Sequence, residues 1–295
     1  MVTISPSSPE TGEILMTDTP LTPPPGDSFN PAEAVPARTY AALRGAGKEA
    51  FARDREAVDE LRRTIHEKVD EVAQENAAAL VRVVRHLAGR GYTQFADLGC
   101  GKPVQGMDAL GLPDLYDVAA GVNPDVRWLA LDSDQLVVTT CRALLRGPGI
   151  SVVQQDLRQS AKVLDAMGSH LWLSKPVVVI LGAVLHFLTD EECTDLRFAL
   201  RARLAPRSLV VLTHVTGDGL DPANVERGRA AYEKLHGGVP IYVRSESQVM
   251  GLVRDFSVRD PGVVRTIDFM PEEGGRAPLR DAPHFLMVMA ERKDK

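Results

Sequence analysis

The stretch Phe95-Ala-Asp-Leu-Gly-Cys-Gly-Lys102 decides the fold. Apolar and small residues lead into an acid and then into a Gly-x-Gly turn. That order describes a buried strand ending where a ligand can touch backbone. Gly99 and Gly101 carry no Cβ, so the chain can turn sharply and approach the ligand closely. A glycine-rich first turn is common among α/β proteins, and the residues that follow make this one specific. Trp128-Leu-Ala-Leu-Asp132 reads as a second strand ending in an acid. Ser151-Val-Val-Gln-Gln-Asp156 reads as a third, and Val177-Val-Val-Ile-Leu181 as a continuously apolar fourth. Strands and helices alternate from Thr93 onward. The expected fold class is therefore α/β, a mostly parallel sheet with helices on both faces.

The remaining elements follow from punctuation and periodicity. Helices are predicted over 134–145, 159–167 and 190–204. Glu191 and Glu192 favour the start of the third, and Arg201 and Arg203 favour its end. Strand five is predicted over 208–214. The capping box Ser245-Glu-Ser-Gln248 opens a helix to about Arg254. Residues 256–267 and 284–290 read as late strands, expected as an antiparallel hairpin at one edge. Upstream, Val58, Leu61, Ile65, Val69 and Val72 recur at three- and four-residue steps, and Leu80, Val81, Val84 and Leu87 continue the stripe. This predicts one bent helix or two, ending at Gly89 and Gly91 and roofing the ligand site. Residues 1–30, rich in Ser-Pro, Thr-Pro and Pro-Pro, read as a flexible tail. The expected organisation is a tail over 1–30, a helical cap over 31–91 and a ligand-binding sheet domain over 92–295.

The turn does not suit a dinucleotide. Gly101 is followed by Lys102-Pro103, and no third glycine completes G-x-G-x-x-G. Proline there delays the helix start that would cradle a pyrophosphate. The turn and its three strand-end acids resemble class I S-adenosylmethionine-dependent methyltransferases, whose sulfonium ligand is cationic and has no phosphate. A narrower resemblance rests on Pro36-Ala-Arg38-Thr-Tyr40, Gly47-Lys48, Phe51 and Asp54-Arg55-Glu56. To these are added Leu181-Gly-Ala-Val-Leu-His-Phe187, Leu212-Thr-His-Val-Thr-Gly217 and Asp260-Pro-Gly-Val-Val264. Together they are similar to an actinobacterial methyltransferase family once described only as a domain of unknown function. The resemblance covers roughly residues 30 to 290. It implies a Rossmann-like methyltransferase sheet with a late antiparallel strand, S-adenosylmethionine as cofactor and methyl transfer as activity. The chain departs from that family in Gly45-Ala-Gly47, where a glycine pair is usual, and in Phe269-Met270-Pro271, where Trp-Arg-Pro is usual. The 35 residues from Asp97 to Asp132 exceed the spacing of about 20 usual between a glycine-rich turn and its ribose acid. The extra residues sit around Val104 to Pro113.

Composition sets outer bounds. A hydrophobic content of 44% and a charged content of 25% are ordinary for a globular chain. The net charge of −6 argues against a general binder of nucleic-acid backbone. The amino-methylating Asn-Pro-Pro-Tyr pattern is absent after strand four. Cys100, Cys141 and Cys193 have no C-x-x-C spacing, so neither a disulfide framework nor a metal site is expected. The apolar run from Pro176 to Leu188 is too short to span a bilayer, and no secretory leader is legible. A cytoplasmic enzyme acting on a small molecule, with neither nucleic acid nor membrane as partner, is expected; oligomeric state is not legible.

Asp132 is expected to accept hydrogen bonds from two ribose hydroxyls, or else to cap the following helix. Asp156 and the Leu157 amide are expected at the adenine, and Asp97 near the methionine end or satisfied by local amides. The cofactor contacts implied by the resemblance also include Gly99, Gly101, Ser133 and Ala183. Arg38 could pair with the methionine carboxylate and Tyr40 could cover the sulfonium, or both could make interhelical contacts; Lys48 is a weaker candidate. His186, after strand four, faces the transferred group as a base or packs on a backbone carbonyl. His214, ending strand five, is the second catalytic candidate. Two rival functions are chemistry on the cofactor itself, an intramolecular cyclisation releasing methylthioadenosine, and cofactor binding without turnover.

Overall fold

The computed structural model describes residues 30, 32–46, 50–271, 278–279 and 281–293. The expected tail, apart from residue 30, and the Gly47-Lys48 part of the N-terminal signature lie outside the described residues. Eight strands form one sheet: β1 (Gln94–Leu98), β2 (Arg127–Asp132), β3 (Ile150–Gln154), β4 (Val178–Gly182), β5 (Leu209–Thr216), β6 (Ser257–Val258), β7 (Val264–Arg265) and β8 (His284–Glu291). Their order is β3-β2-β1-β4-β5-β8-β6, with β7 also pairing β8. β1 to β5 are parallel and β8 is antiparallel to β5, with Val211 opposite Met289. The late strands are therefore not an edge hairpin. β8 lies inside the sheet, and residues 256–267 supply only two short pairings to it. Asp260-Pro261 and the turn around Gly262 interrupt any longer strand, because proline has no N–H to donate to a ladder.

β1, β2, β4 and β5 are buried on both faces over most of their length, which is why they read as apolar runs rather than alternating ones. Ala96, Leu98, Leu129, Leu131, Val179 and Leu181 point to one face. There α6 (Ser160–His170), α7 (Asp190–Arg203) and α9 (Glu246–Leu252) complete the core. Phe95, Trp128, Ala130, Val178 and Ile180 point to the other. They meet α3 (Val69–Gly89), α4 (Leu115–Val122) and α5 (Gln135–Leu144). Trp128 stacks on Phe95 at 5.3 Å between ring centroids and meets the edge of Tyr116 at 6.1 Å.

The stripe from Val58 to Leu87 lies on two helices, and a third precedes it in the cap. α1 (Pro36–Leu43) starts on a proline, and α2 (Ala52–Thr64) is separated from α3 by a break at Ile65–Lys68. α8 (Pro222–Leu235), not expected from the sequence, joins them. Leu43, Val58, Leu61, Val69 and Ala73 form a small core that Tyr40, Tyr232 and Leu235 pack against. α3 thus works twice. Its first turns belong to this cap core, while Leu80, Val83, Val84 and Leu87 belong to the sheet core. β1 sits between β2 and β4, where strand order reverses. Such a switch point opens a crevice beyond the strand ends, and the cap stands over it.

Candidate active site

The turn after β1 is built around one carbonyl and one carboxylate. The amides of Gly99 and Cys100 both donate to Leu131 O, at 2.7 and 3.0 Å. Gly99 has φ +79°, and a Cβ there would lie 2.5 Å from Val184 Cγ2. Gly101 has φ +65°, and nothing lies within 4 Å of where its Cβ would be, so its backbone fronts open space. Asp132 closes the turn: Oδ2 accepts from the Gly101 amide and Oδ1 from the Asp134 amide, both at 3.0 Å. Asp134, not Asp132, caps α5, accepting from the Leu136 amide at 2.7 Å. Each Asp132 oxygen keeps acceptor capacity, because a carboxylate offers about four lone-pair directions. Burial raises the Asp132 pKa, and the two amides pull it back down. Asp97, one strand inward, is raised to about 7, first by burial and then by the charges of Asp132 and Asp114.

The residues inserted around Val104–Pro113 have a structural role. Asp114 accepts from the amides of Val104 and Gln105, each at 2.9 Å, and so folds the loop back. Arg44, just past α1, pairs with Asp108 at 2.9 Å, and Ala109 N donates to Arg44 O at 2.7 Å. The insertion therefore docks against the end of α1 and walls the crevice beside the glycine turn. Asp114 was missed in the sequence; its Asp-Leu position before an apolar helix was the available signal.

One cavity of about 930 Å³ runs along the strand ends. Asp97, Gly99, Gly101, Asp132 and Ser133 line one part of it, followed by Asp156 and Leu157. Asp156 is held by Arg158, whose amide and Nη1 reach its carboxylate at 2.9 and 3.1 Å. Ala183 lines the next part with φ +54°, a left-handed backbone that costs a non-glycine residue energy. Its amide donates to both Thr213 O and Thr213 Oγ1, which hold it there. Beyond lie His186 and Phe187 on a single 3-10 turn (Leu185–Phe187), then Tyr232 and Asn224 on α8.

His186 is buried against Phe187, His214 and Phe285, with ring centroids at 4.3, 5.5 and 6.2 Å. Its Nδ1 is buried with no hydrogen-bond partner among the described residues. Burial, then His214 and the Arg244 guanidinium, hold its pKa well below the usual histidine value. His214 stands elsewhere from where its catalytic reading needs it. It is fully buried and lies behind the cavity wall rather than on it. An Arg244 N–H donates to its Nε2 at 2.9 Å, so its Nδ1–H donates to Val215 O at 2.8 Å. Burial lowers its pKa to about 4. With both nitrogens engaged, His214 has no position from which to move a substrate proton.

Arg38 and Tyr40 both line the roof, with their polar ends turned into the cap. Arg38 Nε pairs with the carboxylate of Asp54 at 3.1 Å, both groups buried, and Nη2 donates to Glu33 O. Tyr40 Oη accepts from Asn76 at 2.6 Å and donates to Ala73 O at 3.2 Å. His236 ties α8 to α1: Nδ1 bonds Tyr232 O at 2.9 Å and Nε2 meets Thr39 Oγ1 at 3.0 Å. Tyr232, unforeseen in the sequence, lies 6.2 Å from Phe187 with nearly parallel rings.

A parallel sheet with this order, an antiparallel strand in its sixth position, a glycine turn and strand-end acids define a class I S-adenosylmethionine-dependent methyltransferase. The chain belongs to a family described as S-adenosyl methyltransferase, whose model matches residues 24–292. It is similar to a crystal structure from Thermobifida fusca YX carrying a provisional methyltransferase assignment. That likeness has 31% identity, a TM-score of 0.78, and coverage of 93% of this chain and 100% of that one. It is also similar to a DUF574 family protein from Streptomyces avermitilis MA-4680, with 26% identity, a TM-score of 0.78, and 89% and 98% coverage. The plantazolicin methyltransferase BamL, crystallised with S-adenosylhomocysteine, shares the fold at 10% identity and a TM-score of 0.51, covering 88% and 98%. A search of curated proteins found no match. The protein is an S-adenosylmethionine-dependent methyltransferase. Its cradle fits that cofactor: open space faces Gly101, Asp132 keeps free acceptor capacity, and no phosphate-binding third glycine is present. Among the described residues no helix is long and apolar enough to cross a membrane, and no cluster of His, Cys, Asp or Glu could hold a metal ion.

Proposed function

We propose that the acceptor is a small molecule methylated on oxygen or nitrogen, held between the turn after β4 and the α8 roof. The cavity carries this reading. It is continuous from the Asp132 cradle to Phe187 and Tyr232, and about 930 Å³ is near the upper end of small-molecule sites. Such a length leaves room for an acceptor beside the cofactor, which favours transfer over an intramolecular cyclisation.

In this reading Asp132 accepts from the ribose hydroxyls, and Asp156 and the Leu157 amide meet the adenine. Asp97 stands at the methionine end, where a cation would favour its ionised form. Arg38 and Tyr40 close the roof. The bound cofactor supplies an electrophilic methyl on a cationic sulfur. The chain supplies alignment and a dry wall, and positioning alone can contribute much of such a rate. His186 faces the acceptor as a neutral imidazole. Its lowered pKa makes it a weak base, since efficient proton acceptors have pKa values near the working pH. It therefore serves best by accepting a hydrogen bond that orients the acceptor's lone pair.

The test is to incubate the protein with S-adenosylmethionine and a panel of small phenols, carboxylic acids and amines, and to follow products by mass spectrometry. A methylated panel member together with S-adenosylhomocysteine is expected. Methylthioadenosine in its place would overturn the transfer reading.

A further inference from the structure

We propose that Arg244 is the positioning residue of the acceptor half: it holds the turn that presents His186 and Phe187 to the cavity. This rests on reading that cavity as the methyl-transfer site.

The turn cannot hold itself. It lies beyond the end of β4, outside the sheet, and closes on two local bonds, Phe187 N to Val184 O and Leu188 N to Leu185 O, at 3.0 and 3.2 Å. Three carbonyls of the turn also accept from the segment before α9, and Cys193 Sγ adds longer contacts to Leu185 O and Leu188 O, at 3.7 and 3.8 Å. Tyr242 N donates to His186 O at 2.8 Å. Arg244 Nη1 donates to Leu185 O at 3.0 Å, and Nη2 to Leu188 O at 2.8 Å. The other donors of the same guanidinium reach His214 Nε2 at 2.9 Å and Asp190 Oδ1 at 2.9 and 2.8 Å. All five N–H donors of a guanidinium are thereby used, which its planar fork allows and an ammonium with three donors does not. Arg244 is 3% exposed, so its bonds to Leu185 O, Leu188 O and His214 are not shared with bulk solvent.

The placement has a charge consequence. The groups facing His186 are His214 from β5, Phe285 from β8, the neighbouring Phe187 and the Arg244 cation. Asp190, the guanidinium's carboxylate partner, is largely exposed. His186 therefore sits near a buried positive charge that opposes its protonation. Arg244 thus holds the imidazole in place and adds to the burial and the His214 ring that already keep it neutral.

Histidine-selective NMR tests this on the protein alone, with S-adenosylhomocysteine calorimetry as a control. In the wild type, His214 should be the Nδ1–H tautomer, and His186 should stay neutral well below pH 6.5. In Arg244→Met, the His186 titration should move up while staying below the usual histidine value, because the charge is removed but the burial remains. His214 should lose its single tautomer. Affinity for S-adenosylhomocysteine should stay within about threefold, because its cradle is built on β1 to β3. Should the methionine variant fail to fold, Arg244→Lys carries the test. It retains the charge, so the His186 titration should change little, but amide exchange at 186–189 should rise on the order of tenfold, as for one lost hydrogen bond. Unchanged His186 and His214 signals in Arg244→Met, or unchanged exchange in Arg244→Lys, would overturn the proposal. So would loss of S-adenosylhomocysteine binding in step with the histidine changes, since Arg244 would then support the whole site. Failure of the transfer reading shows separately, as absence of product in the wild type.

Discussion

Asp132 does two jobs with one carboxylate. It holds the Gly101 and Asp134 amides and still faces the cavity. Asp132→Ala should remove both functions, and Asp132→Asn should keep some of the local bonding while losing the charge. Losing a hydrogen bond to a charged group costs about 1.5–3 kcal/mol, so S-adenosylhomocysteine affinity should fall roughly tenfold or more in both variants. Calorimetry showing wild-type affinity in either folded variant would remove Asp132 from the ribose.

Asp97 makes a second prediction of definite sign. Its folded pKa of about 7 means that near neutrality it is partly protonated. A cationic ligand beside it favours the carboxylate and must expel that proton. S-adenosylmethionine should therefore bind more tightly as pH rises through about 7, with proton release measurable in buffers of different ionisation enthalpy. Asp97→Asn should abolish the dependence; its persistence would place the linkage elsewhere.

At the scale of elements, the cap depends on a buried ion pair. Asp54 is fully buried, pairs with Arg38 and also accepts from the Phe51 amide that starts α2. Asp54→Ala would leave Arg38 buried without its counter-charge, a loss of roughly 3–5 kcal/mol. The double replacement Arg38→Met with Asp54→Leu should cost less than that, because desolvation of both charges is removed with the pair. Denaturant melts of the two variants decide it; a double variant as unstable as Asp54→Ala or more so would mean that the two charges are not coupled. The elements differ in how plainly the sequence announces them. The strands beside β1 are continuous apolar runs, and the capping box at Ser245 is local chemistry, so both were legible. α8 was not. Gly228 is its one buried residue, and a Cβ there would lie 3.5 Å from Ile65 Cγ1, just past the end of α2. Only Asp221-Pro222, a capping acid before a proline, marked its start.

At the scale of the molecule, buried ionisable groups set acid stability in opposite directions. His214, lowered to about 4, binds its proton in the unfolded chain first. Its contribution is complete above pH 6.5 and is lost as pH falls towards 4, roughly 3 kcal/mol in all. His186 and His236 are lowered too and act in the same direction. Asp97, raised from 3.8 to about 7, does the reverse: stability falls as pH rises through that window. Over this window Asp97 and His214 roughly cancel. Asp97→Asn should therefore melt at a higher temperature than the wild type at pH 8, with the difference shrinking towards pH 4. A constant difference across that range would show that Asp97 is not the buried acid responsible.

What the sequence determined by itself was everything carried by neighbours along the chain. The glycine turn, the strand-end acids and the apolar runs define a class I methyltransferase sheet, because turn geometry and strand burial need only short, contiguous patterns. The tertiary structure decided what depends on residues far apart. It put β8 inside the sheet rather than at an edge hairpin. It drew Asp114 to the amides of the inserted loop and brought α8 across the roof. It also turned two similar histidines to different uses. His186 faces the cavity, while His214, with a hydrogen at Nδ1 and an arginine at Nε2, faces away from it. Nothing in a His at the end of a strand says which side will be wet. The Arg244 guanidinium, 30 residues further on from His214, decides that once the chain has folded back over the turn.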